Sequence, residues 1–256
     1  MPEQSTPVDD LKMPDLVLFR TELAVSRTSV ADQVFDLLHA QVQTTALPPG
    51  TKLSEAEVAR QLNVSRQPVR DAFFRLAQLG FLVIRPQRST TVSLISPHAI
   101  LKARFLRSAI EVEVIRRACT ALTPDDLAGL EAILTAQQAA IDAGDTSRFH
   151  RLDYTFHRTI CDGLGLDFAW DVIRDYKAHT DRIRLLSLSF AAQTAWSDHR
   201  DILDALHSRN TVRAEAAMRL HLDRIIAILD RVRSENHDWF ANDEQSVSFA
   251  RSSFIR

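Results

Sequence analysis

Apolar positions in the N-terminal third of the chain change period along its length, and those changes predict the elements. Val34, Leu37, Leu38 and Val42 recur at three- and four-residue spacing, so a helix starts near Val30. It ends before Leu47-Pro48-Pro49-Gly50, because proline disfavours the helical region for the residue ahead of it. Ser54-Glu55-Ala56-Glu57 has the form of a capping box, with Leu53 and Val58 placed as a hydrophobic staple across it. That second helix carries Val58 and Leu62 on its apolar face and stops at Asn63. Ser65 then reads as the N-cap of a third helix, with Pro68 in the first turn, where its missing N–H removes no intrahelical bond. Val69, Ala72, Phe73, Leu76 and Leu79 form its stripe, and Gly80 stands at the C′ position. Beyond Gly80 the pattern is strand-like: 81–85 and 91–94 flank Pro86-Gln87-Arg88-Ser89-Thr90, a hairpin wing with a basic tip. Three helices and a wing describe a winged helix-turn-helix.

From Ser96 onward strand patterns vanish. Ser96-Pro97 opens a helix running to about Cys119, with Leu101, Phe105, Ile110, Val114 and Ile115 inward. Thr123-Pro124-Asp125-Asp126 supplies an N-cap, a proline at the first position and acids at the positive end of the dipole. That helix continues through Leu127, Leu130, Ile133 and Leu134 to Gly144. Further helices are expected over 147–163, 167–187, 195–208 and 211–233, giving an all-α bundle of about six helices. The fold class is therefore mainly α: a winged helix-turn-helix over 26–95 and a helical bundle over 96–235. The aperiodic polar stretches 1–25 and 236–256 read as a flexible arm and tail.

Composition agrees with two soluble domains: 256 residues, 45% hydrophobic and 25% charged. No apolar run approaches the roughly 20 residues that span a bilayer. The opening Met-Pro-Glu-Gln-Ser-Thr-Pro-Val-Asp-Asp lacks the basic and apolar regions of a secretory leader. Cys119 and Cys161 fit no metal or redox spacing and read as reduced core thiols, so a cytoplasmic protein with no membrane partner is expected. The net charge of −2 argues against wholesale coating of nucleic acid. It is unevenly spread: residues 26–95 hold eight Lys/Arg against five Asp/Glu, a net +3 that leaves −5 for the rest. A mildly basic head on an acidic body suits a DNA-reading module attached to a sensor or partner module.

Two groups of residues carry candidate chemistry. Arg66 and Arg70, four apart, share a face near the start of the third helix, away from its apolar stripe, and Phe74 continues the Arg70 face. Forked guanidinium groups at the exposed N-terminal end of a helix suit the DNA major groove, where arginine pairs bidentately with guanine O6 and N7. Taken alone, an amphipathic helix with a solvated basic face explains that pattern equally well. In the second half, Asp153 and His157 lie a turn apart on one helix, while His199 and His221 stand among inward apolar positions (Ile202, Leu206; Met218, Ile225). Three imidazoles and a carboxylate make a donor set for zinc, nickel, manganese or iron. Any one such histidine is more often the satisfied partner of a neighbour than a ligand, and His150 shares the Asp153 face without belonging to the set. A hydrolytic metal enzyme using this cluster is the alternative function. It wants a general base that is not a ligand, and no further acid stands obviously on those faces.

The order Pro49-Gly50-x-x-Leu53-x-Glu55-x-Glu57-Val58-Ala59, Val64-Ser65-Arg66-x-Pro68-Val69-Arg70-Asp71-Ala72, Arg75-Leu76 and Gly80-Phe81-Leu82 resembles the GntR family of bacterial transcription regulators. Arg107-x-x-x-Glu111, Asp153-x-x-x-His157, His199-x-x-Ile202-x-x-Ala205-Leu206 and Ala214-x-x-x-Met218-x-x-His221 resemble the helical FCD effector domain of its FadR subgroup. The resemblance implies a homodimer on a pseudo-palindromic double-stranded operator, with repression as the commonest outcome. It implies DNA contacts from Ser65, Arg66, Gln67 and Arg70, and from Arg88 in the wing. It further implies a divalent metal, zinc foremost, on Asp153, His157, His199 and His221, and a small carboxylate effector met by Arg107. As a plainer reading, Arg107 forms an ion pair with Glu111. Three positions depart from the family pattern: Ala56, where some members carry a DNA-contacting arginine; Ser89, where a wing glycine is usual; and Leu166-Asp167, where asparagine is common.

Overall fold

The computed structural model describes residues 29–85 and 89–242. They divide into two compact units, one ending at Leu94 and one starting at Ile95.

In the first unit, α1 (Val30–Gln43) opens on Ser29, whose Oγ accepts from the Asp32 N–H at 3.1 Å. Then come β1 (Lys52–Leu53), α2 (Glu55–Gln61), α3 (Arg66–Gln78), β2 (Leu82–Val83) and β3 (Thr90–Val92). The strands form an antiparallel sheet of order β1-β3-β2, with Leu53 opposite Thr90 and Leu82 opposite Val92. The pattern predicted the two wing strands. It did not predict β1, which two residues of a capping segment are too short to announce. Leu38, Phe73, Leu76, Phe81 and Val92 close the core, each burial contributing roughly 1.5–3 kcal/mol. Arg75 ties α3 to α1, its guanidinium over the Phe35 ring at 3.9 Å and 2.7 Å from Asp32 Oδ1. Asn63 (φ +53°) and Gly80 (φ +81°) take the left-handed conformations that end α2 and α3. The expected capping box is half made. Ser54 Oγ accepts from the Glu57 N–H at 3.5 Å, but the Glu57 carboxylate is drawn to Arg60 Nε (3.0 Å) and Gln61 Nε2 (2.7 Å).

The second unit contains α4 (Pro97–Ala121), α5 (Pro124–Asp142), α6 (Thr146–Asp162), α7 (Asp167–His207) and α8 (Thr211–Glu235). Here the capping box at Thr123 and Asp126 is complete. The helices bury a main cluster that includes Ile115, Leu130, Phe156, Ile202 and Leu206, and a second one around Ile100, Ile183 and Ile225. Among the described residues the bundle has five α-helices rather than about six, because 167–187 and 195–208 are parts of one 41-residue helix. The stretch between them holds neither glycine nor proline, and Leu188 and Ala192 are buried against Ala140 and Phe149. Packing therefore carries the helix through a stretch of weak periodicity. The chain also stays ordered past the expected start of the tail. After α8, a short 3-10 turn (His237–Trp239) leads Phe240 into the second cluster, and the Ala241 N–H donates to Ile95 O at 2.9 Å. A buried aromatic and a backbone bond outweigh the polar character of that segment.

Candidate metal centre and DNA-reading face

The start of α3 presents Ser65, Arg66, Gln67 and Arg70 to solvent while Val69, Ala72 and Phe73 face the core. Ser65 makes no side-chain cap bond, so its hydroxyl is not committed to the helix. Gln67 Nε2 donates to Asp71 Oδ1 at 2.9 Å. Arg70 Nε donates to Glu55 Oε2 at 3.3 Å, which links the exposed face of α3 to the first turn of α2. Sequence reasoning placed Glu55 in a capping segment and in the family motif but not against Arg70, a contact that depends on how α2 crosses α3. Phe74 is 57% exposed on the same helix. Arg88 lies outside the described residues.

The second unit gathers the four residues named as ligands. Asp153 and His157 project from the buried stripe of α6, beside Phe149, Phe156 and Ile160. His199 comes from α7 and His221 from α8. One ligand atom from each lies within 4.8 Å of all the others. The imidazole centroids of His157, His199 and His221 are 4.6–5.4 Å apart. All four residues are at most 2% exposed.

Each imidazole has a polar side chain beside its Nδ1, and that of His199 is hydrogen-bonded there. Glu111 Oε2 lies 2.6 Å from Nδ1 of His157, Gln137 Oε1 lies 3.0 Å from Nδ1 of His199, and Asp198 Oδ2 lies 3.6 Å from Nδ1 of His221. The Gln137 oxygen favours the His199 tautomer with the proton on Nδ1, and the carboxylates beside the other two Nδ1 atoms favour the same tautomer by charge. The Nε2 atoms of all three, and Nδ1 of His157 and His221 as well, are buried with no hydrogen-bond partner among the described residues. Burial pushes the pKa of His221 down to about 4 and that of His199 well below the usual range, so both rings are neutral at pH 7. Neutral imidazoles with unpaired inward nitrogens are the form a metal takes.

Sequence reasoning missed much of this surround. It saw no acid near the cluster, yet Glu111 and Asp198 are both there, each beside a histidine Nδ1 and each bonded to an arginine, Arg107 and Arg224 respectively. It also missed two cations on Asp153: Lys177 Nζ lies 3.0 Å from Oδ2, and Arg184 Nη1 donates to Oδ1 at 2.7 Å. Burial opposes the Asp153 charge, but those cations hold its pKa well below the carboxylate range. Lys177 also reaches Asp181 Oδ1 at 2.6 Å. The signal was Lys177, Asp181 and Arg184 recurring at helical spacing along α7. Arg107, the expected effector contact, is buried with Nε 2.7 Å from Glu111 Oε1 and Nη1 3.3 Å from Thr180 Oγ1. It thus braces the carboxylate that braces His157. His150 stays outside the ligand set, 3.9 Å from Asp181.

Comparison with known proteins identifies the family. The model for bacterial regulatory proteins of the gntR family matches residues 30–92, and the FCD domain matches 103–224. The HTH-type transcriptional repressor RspR of Escherichia coli (strain K12) is 38% identical over 216 residues, covering 84% of this chain and 95% of that protein. The chain belongs to the GntR family. Another similar GntR-type relative, the HTH-type transcriptional regulator McbR of Escherichia coli (strain K12), is 27% identical over 189 residues, 66% of this chain and 86% of McbR. The solved structure of E. coli McbR/YncC shares the fold, with a TM-score of 0.70 and 24% identity over 80% of this chain and 98% of that one. This GntR protein is a transcriptional regulator with a helix-turn-helix domain and an FCD domain, and a repressor stands among its relatives. None of its described helices is long and apolar enough to cross a membrane.

Proposed function

We propose that this regulator is a homodimeric repressor whose hold on a pseudo-palindromic operator is set by an organic acid bound at a divalent metal centre. The observation that carries the sensor half is the convergence of three unpaired Nε2 atoms beside the Asp153 carboxylate, on four buried side chains. Asp153, His157, His199 and His221 are the ligands in this reading, and zinc suits their N/O donors best. A metal held there would attract the oxygen donors of a carboxylate. Arg107 acts through Glu111, keeping it charged and fixed against His157. On DNA, Ser65, Arg66, Gln67 and Arg70 enter the major groove and Arg88 in the wing meets the minor groove. Two copies present two such helices to the two half-sites of one operator. The acid changes occupancy only if it prefers one arrangement of the two reading heads.

Selection of bound sequences from a randomised double-stranded DNA pool yields an operator to use as a probe. In a mobility-shift titration, Arg66→Ala and Arg70→Ala should each weaken binding by roughly 1–3 kcal/mol with the fold intact. Unchanged sequence-specific binding in both would remove the recognition-helix assignment. Elemental analysis of untagged protein prepared without chelator should find a divalent ion that His199→Ala loses. Its absence from zinc-loaded wild type would remove the metal centre.

A further inference from the structure

Two of the exposed polar side chains at the start of α3 are each tied to a carboxylate beside them. Gln67 Nε2 donates to Asp71 Oδ1, one turn along the same helix, at 2.9 Å. Arg70 Nε donates to Glu55 Oε2, on α2, at 3.3 Å. Gln67, Arg70 and Asp71 are exposed and Glu55 is half-buried, so neither contact belongs to the core and each adds little to folding. Glu57 and Arg60 form a comparable surface pair within α2, Oε2 to Nε at 3.0 Å. The two contacts on α3 differ from it in what they leave over.

A carboxylate only accepts, so Asp71 fixes which end of the Gln67 amide is nitrogen. One N–H of that amide is spent there, and the other remains with Oε1: one donor and one acceptor. Glu55 takes the Nε–H of Arg70 and leaves both terminal nitrogens, a fork of donors. These two sets match different bases in the major groove. Adenine presents the N7 acceptor beside the N6 amino donor, whereas guanine presents two acceptors, N7 and O6. Oε1 set against guanine O6 would oppose two acceptors, and the arginine fork set against the adenine amino group would oppose two donors. Holding each side chain beforehand also removes part of the ordering cost that contact with DNA would otherwise incur. Gln67 and Arg70 stand three apart on one helix, with Cβ atoms roughly 5–6 Å from each other. That is close enough for base pairs that rise about 3.4 Å per step.

We infer that Asp71 and Glu55 are positioning residues for base selection: Asp71 presets Gln67 for an adenine, and Glu55 presets Arg70 for a guanine, on neighbouring base pairs of each operator half-site. The inference rests on the DNA-reading proposal above and extends it from the residues that read to the bases they choose.

Selection from a randomised double-stranded pool with the full-length protein, followed by affinities for single-base variants of the selected half-site, tests it. Gln67→Ala should lower the preference for one adenine by about tenfold and leave the neighbouring guanine preference as it was. Asp71→Ala keeps Gln67 but frees it, and should cost about threefold or more of that same adenine preference. Glu55→Ala should do likewise to the guanine preference that Arg70→Ala abolishes. Losing either acid also raises affinity for all sequences alike through charge, so the ratio between bases is the readout. Glu57→Ala, which removes the surface pair within α2, should change neither ratio. Base ratios unaltered by Asp71→Ala and Glu55→Ala, or an adenine preference that survives Gln67→Ala, overturn this assignment while leaving the reading helix in place. No enriched sequence for the wild type, or full operator affinity in both Arg66→Ala and Arg70→Ala, overturns the DNA-reading proposal and this one with it.

Discussion

The two units hold their charged residues in opposite environments. On α3 the arginines sit in water: Arg66 and Arg70 are exposed, and Arg70 meets Glu55 through a contact of the kind worth at most about 1 kcal/mol. In the bundle, Asp153, Glu111, Lys177 and Arg184 are all buried and mutually bound. An exposed charge can be deleted without harm to the fold. A buried charge cannot, because its partners have no water to turn to. One unit therefore separates stability from recognition, and the other joins them.

The sharpest way to break that contrast is to remove a charge from each side. Asp153→Ala strands Lys177 and Arg184 in the interior and should destabilise the protein by about 3–5 kcal/mol in chemical denaturation. Arg66→Ala, measured the same way, should change stability by no more than about 0.5 kcal/mol. Similar values for the two would erase the distinction.

Acid should act on one unit before the other. The folded-state pKa of His221 is about 4, depressed by burial from an unfolded value near 6.5. Between those values the unfolded chain binds a proton that the folded chain refuses, so stability falls as the pH drops from 6.5 to 4 and is unaffected by this group above 6.5. The full loss from His221 is roughly 3 kcal/mol, and His199 adds in the same direction. The lowered pKa of Asp153 contributes stability that is retained above pH 3.8 and lost only below it. Near-ultraviolet circular dichroism of chelator-stripped protein should show the bundle loosening across that window, and a transition confined to pH below 4 would contradict it.

Zinc should reverse part of that loss. At a hundredfold excess over its dissociation constant it stabilises by about 2.7 kcal/mol, raising the melting temperature by roughly 5–10 °C in a scanning experiment. His221→Ala should abolish the rise. The smallest effect belongs to the surface. Glu55→Gln releases Arg70 from its carboxylate partner, so non-specific DNA affinity should rise a few-fold while preference for the selected operator narrows. Competition with random-sequence DNA in a mobility-shift assay reads both.

Much of this was legible along the chain, for reasons that are local. Capping residues, the stripes of α1 to α3 and the glycine after α3 are decided by neighbours within a few positions, so those elements stand where the pattern placed them. The Asp153–His157 pair was readable because four-residue spacing makes a single helix face. The unbroken α7 was not readable, because Leu188 and Ala192 are held by Ala140 and Phe149, some fifty residues away in sequence. Nor was the surround of the cluster. Glu111 lies on α4, Gln137 on α5 and Asp198 on α7, and each looks like an ordinary polar helix residue until the bundle closes.

The sequence by itself determined the helical alphabet, the two-part division and the residue types able to bind DNA or metal, because capping, periodicity and donor chemistry are properties of short segments. Only the tertiary structure decided which nitrogen of each histidine faces inward, and that Asp153 is shared with Lys177 and Arg184. Those outcomes depend on burial and on partners brought from four different helices, and neither exists until the chain has packed.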